Sequence, residues 1–230
     1  MFKPQIIPIL LPFTLIGCTQ KVADINATIN EAIFGFDDIE MTQRVIHNSP
    51  YASSYVRIGD GPQIFMVLAL VENGRQKWLS SDKAMLVTEN GRIVKTLALP
   101  EDNIAHIRTE KSSTPDPLSQ LTPQTDLKSY IMANRGIKDW KTTFDWMPNY
   151  RYGYNAEITW SYKQEQLMKS NAWEKQTHYI IETVSFPTLN EQYQNHFWLD
   201  TTTNKVVKSI QKLGPGMDSI EMTILKPYGE

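Results

Sequence analysis

Two Asn-Gly dipeptides, Asn73-Gly74 and Asn90-Gly91, constrain this chain more than any other feature, because each sits between runs of β-favouring residues. A type I′ turn needs positive φ at both central residues, and Asn-Gly meets that demand with little strain, so each dipeptide predicts a tight hairpin. Both lie in a block from Pro50 to Leu99 that reads as short strands in succession. Within it, Gly59-Asp60-Gly61-Pro62 is a tight connection after the strand around Tyr55–Ile58. Gln63 to Val71 is apolar at odd and even positions alike, which predicts a central strand buried from both sides. The block is expected to be an antiparallel meander and a scaffold, since turn geometry accounts for its glycines.

The rest of the chain repeats the theme. His178–Phe186, Gln194–Leu199, Val206–Leu213 and Ser219–Leu225 alternate in polarity, with turns at Asp200–Asn204 and Gly214-Pro215-Gly216. About ten to twelve strands and little helix follow. The fold class is therefore mainly β: an antiparallel meander forming a curved sheet, a sandwich or a partly open barrel, among which periodicity does not choose. Thr42 is placed to cap a brief helical turn through Ile46, and Leu127–Arg135 is weakly helical. Ser112–Thr125, with Pro115, Pro117 and Pro123, reads as a surface loop and is where a sub-domain boundary would fall.

The N-terminus reads as a targeting segment. One cation at Lys3 precedes an apolar run from Ile6 to Leu15, broken by Pro8 and Pro12, and Leu15-Ile16-Gly17-Cys18 looks like a bacterial lipobox. A membrane span needs about 18 or more apolar residues, which this run lacks. The chain has 1 Cys, and it falls at the predicted cleavage point, so residues 1–17 are expected to be removed and Cys18 to be lipidated. Thr19, in place of Asp, directs such a protein to the outer membrane, on its periplasmic face. Residues 18–230 then form a single β-rich domain, opened by a short amphipathic helix over Lys21–Phe34. Losing Lys3 leaves 22 basic against 25 acidic residues, a net charge of −3. That balance lacks the basic excess of a nucleic-acid binder.

Trp140, Phe144, Trp146, Tyr150, Tyr152, Tyr154, Trp160 and Tyr162 all occupy even positions, with polar residues at the odd ones from Arg151 on. This pattern is first of all the core face of a sheet. Where such rings reach solvent they suit stacking on sugars, so Trp140, Trp146, Tyr150, Tyr152 and Tyr154 are the candidate binding residues, with Tyr150 and Tyr152 nearest the Pro148-Asn149 turn. Asp145 and Glu157 are the carboxylates from which a glycosidase pair would have to be built. The four histidines, His47, His106, His178 and His196, lie far apart without partners at ligand spacing, so no metal or other cofactor is expected.

Longer stretches carry a family likeness. These are the lipobox, Pro50-Tyr51-Ala52-Ser53, Ile58-Gly59-Asp60-Gly61-Pro62-Gln63, Gln76-Lys77-Trp78-Leu79-Ser80 and Asn90-Gly91-Arg92-Ile93-Val94-Lys95-Thr96. Phe144-Asp145-Trp146, Tyr150-Arg151-Tyr152-Gly153-Tyr154 and Phe197-Trp198-Leu199-Asp200 extend it. The chain resembles the YjbF/GfcB family of outer-membrane lipoproteins from exopolysaccharide and group 4 capsule clusters, most densely in the meander and least in Ser112–Thr125 and Gln164–Gln176. The resemblance implies a non-enzymatic accessory role in producing, exporting or regulating a surface polysaccharide. It brings no catalytic residues. The implied partners are the outer membrane, through the lipid, and either the glycan or an exopolysaccharide-export protein. A carrier of lipid or another hydrophobic ligand is the alternative, and a glycan-modifying enzyme the third reading.

Overall fold

Both Asn-Gly pairs adopt the left-handed backbone their turns require, at φ 52° and 77° for Asn73 and Gly74 and 51° and 87° for Asn90 and Gly91. The structure is a computed structural model that describes residues 38–100, 102–108, 115–133, 140–149 and 151–229. The expected signal peptide, Cys18, the helix over Lys21–Phe34 and Tyr150 lie outside the described residues. No helix among the described residues is long and apolar enough to cross a membrane.

The strands are β1 (Ser53–Ile58), β2 (Ile64–Glu72), β3 (Arg75–Leu79), β4 (Met85–Glu89), β5 (Arg92–Leu97), β6 (Asn103–Ile107), β7 (Trp140–Met147), β8 (Arg151–Lys169), β9 (Glu174–Phe186), β10 (Glu191–Asp200), β11 (Val206–Lys212) and β12 (Ser219–Lys226). They pair into one sheet in the order β5-β4-β3-β2-β1-β12-β11-β10-β9-β8-β7-β6. Every pairing is antiparallel, and β1 joins β12 to bring the two ends of the described chain together. The sheet curls until its edges, β5 and β6, meet. Side chains close the seam: Ile104 N–H donates to Thr96 Oγ1 at 2.9 Å, while Thr96 Oγ1 and Leu99 N–H donate to Asn103 Oδ1, each at 3.1 Å. Of the three architectures left open by periodicity, the nearly closed barrel is the one adopted, with the two sheet ends, β5 and β6, set against each other.

The barrel is filled by side chains. Trp78, Trp140, Trp146, Phe186, Phe197, Met66, Leu86 and Ile93 are all 2% exposed or less. The expectation that β2 is buried on both faces is corrected. Met66 and Leu68 enter the core, but Ala69 and Leu70 are exposed, Leu70 at 50%. The outer face of β2 is covered only near its start, where α1 (Gln43–Asn48), capped by Thr42, packs Ile46 against Tyr55 and Leu225, with Phe65 alongside. A register shift between Leu68 and Leu70 then turns the strand out of the core.

The reading of Ser112–Thr125 as surface loop also changes. A 3-10 turn at Pro117–Gln120 buries Leu118, and with Leu127 and Ile131 of α2 (Leu127–Ala133) it packs against Ile180, Phe197 and Leu199 inside the barrel. Asp116 just before the turn is 4% exposed and meets Arg92 of β5. Arg92 Nε and Nη2 donate to Asp116 at 2.6 and 3.1 Å, and Nη1 and Nη2 donate to Glu182 of β9 at 2.8 and 2.6 Å. Trp160 Nε1 and Asn195 Nδ2 also donate to Glu182, at 2.9 and 3.0 Å, and the guanidinium lies 4.4 Å from the Trp140 ring centre. One cation serves two buried carboxylates. Burial opposes charge on Glu182, but Arg92, Trp160 and Asn195 outweigh it and hold the carboxyl below its ordinary range. Burial prevails at Asp116 and pushes its carboxyl up. The network clamps the loop across the barrel, where it becomes one wall of a cleft.

Candidate functional site

The strand ends collect at two mouths. At the mouth formed by the Asn-Gly turns, the Asp200–Lys205 turn, the 3-10 loop and the chain after β12 lies a cleft of about 350 Å³. It has the size of a small-ligand site.

Its geometry starts from Asp200, the last residue of β10. The Asp200 carboxylate accepts from the N–H groups of Thr202 and Thr203 at 2.8 and 3.2 Å and from Lys175 Nζ at 2.7 Å. Burial raises its pKa, but the lysine and the two N–H donors outweigh it, so the group is held low and charged. The turn thus shaped places Asn204 at φ 55°, and Asn204 Nδ2 donates to Thr122 O and Thr125 O, both at 2.8 Å. Asn204 is 6% exposed and its Oδ1 has no hydrogen-bond partner among the described residues. Lys205 stands exposed beside it.

Gly91 makes the opposite wall possible. A Cβ there would lie 2.5 Å from Val206 Cβ, so only glycine lets the β4–β5 turn approach β11. Gln211 stitches that approach, its Oε1 accepting from Ile93 N–H at 3.0 Å and its Nε2 donating to Gly91 O at 2.9 Å. Trp173 and Tyr228 supply rings to the lining. Trp173 Nε1 donates to Ile224 O at 2.6 Å, which fixes the ring, while Tyr228 is 56% exposed. Gln76, Thr203 and Asn204 add amides and a hydroxyl.

The candidate binding residues read from the sequence fall elsewhere. Trp140 is 1% exposed beneath Arg92, and Trp146 is 2% exposed with its Nε1 donating to Leu213 O at 2.8 Å. Tyr154 is half-buried with its ring centre 5.1 Å from that of Trp146, and Tyr152 is 51% exposed. These residues belong to the core and to the other mouth. There a second cleft of about 400 Å³ is lined by Asp60, Asp82, Asp102 and Asp218 over Ile58, Ile64, Leu213 and Ile220. No group of three potential metal ligands occurs among the described residues. Nor do Asp145 and Glu157 form a pair. Asp145 accepts from Gly153 N–H at 2.6 Å and Glu157 pairs with Lys141 at 2.7 Å. Lys141 faces Glu157 across the hairpin, so four strand positions, about 13 Å, separate the two acids. A glycosidase needs at most about 9.5 Å.

Trp173 and Tyr228 were not singled out from the sequence. Neither belongs to a long alternating run; one lies in the Ser170–Trp173 turn and the other beyond the last strand. Their common location exists only once the curl of the sheet brings the β8–β9 turn and the chain after β12 to the same mouth.

Comparison with known proteins agrees with the fold. The model of a family described as "Group 4 capsule polysaccharide lipoprotein gfcB, YjbF" matches residues 26–225. Two Escherichia coli K12 proteins are similar over nearly their whole length. The uncharacterized lipoprotein GfcB is 32% identical over 98% of this chain and 99% of its own, and the uncharacterized lipoprotein YjbF is 30% identical over 98% of each. The crystal structure of the hypothetical lipoprotein YmcC from the same organism superposes with a TM-score of 0.68 at 29% identity, covering 91% of this chain and 97% of that one.

Proposed function

The chain belongs to the YjbF family of group 4 capsule polysaccharide lipoproteins, and from that premise we propose that it is a non-enzymatic accessory of surface-polysaccharide production that holds a segment of the glycan in the cleft beside Asn204. Lipid on Cys18 anchors it to the outer membrane, with the barrel on the periplasmic side. One observation carries the reading: the cleft sets two aromatic rings, Trp173 and Tyr228, beside hydrogen-bonding side chains in a space of a few sugar units. Sugar rings present apolar C–H faces that suit an aromatic face, and hydroxyl edges that suit amides and hydroxyls. The amides of Gln76 and Asn204, the Thr203 hydroxyl and the two lysines of the lining favour this reading over a carrier that would enclose an apolar ligand.

The test is capture of surface polysaccharide by the purified full chain. Trp173→Ala and Tyr228→Ala are each expected to weaken binding about tenfold, near 1.4 kcal/mol per ring. Tyr228 is exposed, so its loss leaves the fold intact. Undiminished capture by the double variant, or capture of an export protein and no glycan, would overturn the reading.

A further inference from the structure

The two mouths of the barrel differ in charge. Among the described residues lining the Asn204 cleft there are two lysines, Lys175 and Lys205, and no carboxylate. The other cleft is lined by four aspartates and no lysine or arginine. Lys175 is already paired with Asp200, whose carboxylate is also held by two backbone N–H groups. Lys205, at the lip of the cleft, forms no ion pair among the described residues and is exposed. The turn that presents it is held at both ends: Asp200 N–H donates to Lys205 O at 3.0 Å, and Asn204 N–H donates to Asp200 O at 2.8 Å. A cation on a rigid turn, next to stacking rings and with no neutralising acid in the lining, is complementary to an anion on a sugar. The far cleft offers such an anion no lysine or arginine in its lining, where Asp60, Asp82 and Asp218 stand beside Asp102, itself paired with Arg151 at 3.0 Å.

We propose that the cleft selects an acidic saccharide, with Lys205 facing the carboxylate of a uronic-acid-type residue and Trp173 and Tyr228 facing the sugar rings. This rests on the glycan reading above and adds the charge class of the ligand. Asn204 Oδ1, buried without a partner among the described residues, is an acceptor that a sugar hydroxyl next to Lys205 satisfies.

The decisive probes are tetragalacturonate and its fully methyl-esterified form, which keep the same rings and differ only in charge. Titration of the full chain, in buffer free of divalent cations, should show the acid binding at least tenfold more tightly than the ester. Raising salt from 50 to 500 mM should weaken the acid selectively. Lys205→Gln should lose about two- to fivefold for the acid and nothing for the ester, and Lys205→Glu should lose more. Lys163→Glu, on an exposed part of β8 outside the cleft, makes the same change in net charge and should have no effect. Equal binding of acid and ester overturns the charge assignment and leaves the glycan reading standing. Binding of neither probe also overturns the charge assignment, and the glycan reading then falls separately if whole surface polysaccharide is not captured. Equal losses from Lys205→Glu and Lys163→Glu would reduce the effect to net charge and overturn the site.

Discussion

Replacing Arg92 by methionine removes the guanidinium and keeps a chain of similar length. Four N–H donor bonds disappear, and Asp116 and Glu182, with side chains 5% and 0% exposed, lose their only cation within the network. The cheapest escape is for the carboxyls to take up protons. At about 1.4 kcal/mol per pH unit, that costs about 3.4 kcal/mol at pH 7 for a group of ordinary pKa 4.5, and about 4.4 kcal/mol for one of 3.8. Asp116 is already pushed up in the intact protein because burial outweighs its attraction to Arg92, with the neighbouring Glu182 charge adding to the rise, so part of this cost is present before the substitution. A net loss of about 3–5 kcal/mol at pH 7 follows, as for other broken buried ion pairs. At pH 5 protonation costs only about 0.7 and 1.6 kcal/mol, so the deficit should shrink by roughly 2–3 kcal/mol. Urea unfolding followed by tryptophan fluorescence reads both values, and Trp140 and Trp160 touch the network directly. Substituting Met, Leu and Leu for Arg92, Asp116 and Glu182 together removes every charge of the network and should be less destabilising at pH 7 than Arg92→Met alone. A deficit below about 1 kcal/mol at pH 7, or one equal at pH 5 and pH 7, would refute this account of the network.

Three further outcomes can be measured in the same way. Gly91→Ala and Gly74→Ala both place a side chain at positive φ, but only Gly91 meets a neighbour, so the first should cost about 2–4 kcal/mol and the second about 1 kcal/mol; equal losses would discard the close packing on Val206. Gln211→Leu strips partners from Ile93 N–H and Gly91 O and should cost about 2–3 kcal/mol, with hydrogen exchange at Ile93 speeding up; unchanged exchange would count against the stitch. His196 is depressed below its ordinary 6.5 by burial. A depressed value means that stability is complete above pH 6.5 and is lost as pH falls through the folded-state value. The thermal midpoint should therefore drop between pH 7 and pH 5 in the intact protein and drop less in His196→Gln; identical profiles would remove His196 from the explanation.

What could be read from the sequence was local. Asn-Gly turns act over four residues, alternation acts along one strand, and the Thr42 cap acts within one helical turn, so all three survive without knowledge of the fold. The family likeness rests on the same short stretches. Distances along the barrel wall and across its bore are of another kind. Arg92 and Glu182 are separated by 90 positions, and Gln211 and Gly91 by 120, yet each pair is in contact. Nothing local marks Asp116 in a proline-rich loop as the third member of a buried network. Alternation correctly put Trp140 and Trp146 on one face, but it does not say whether a face looks inward or outward. The curl of the sheet decided that, making them core. The register shift between Leu68 and Leu70, which alternation does not reveal either, decided where β2 leaves the core. The curl brought Trp173, Asn204, Lys205 and Tyr228, from two separate turns and a tail, to one mouth. The sequence by itself therefore determined the strands, the turns and the kinship. Only closure of the barrel determined the buried charges and the cleft, because both depend on contacts between residues that no periodicity relates.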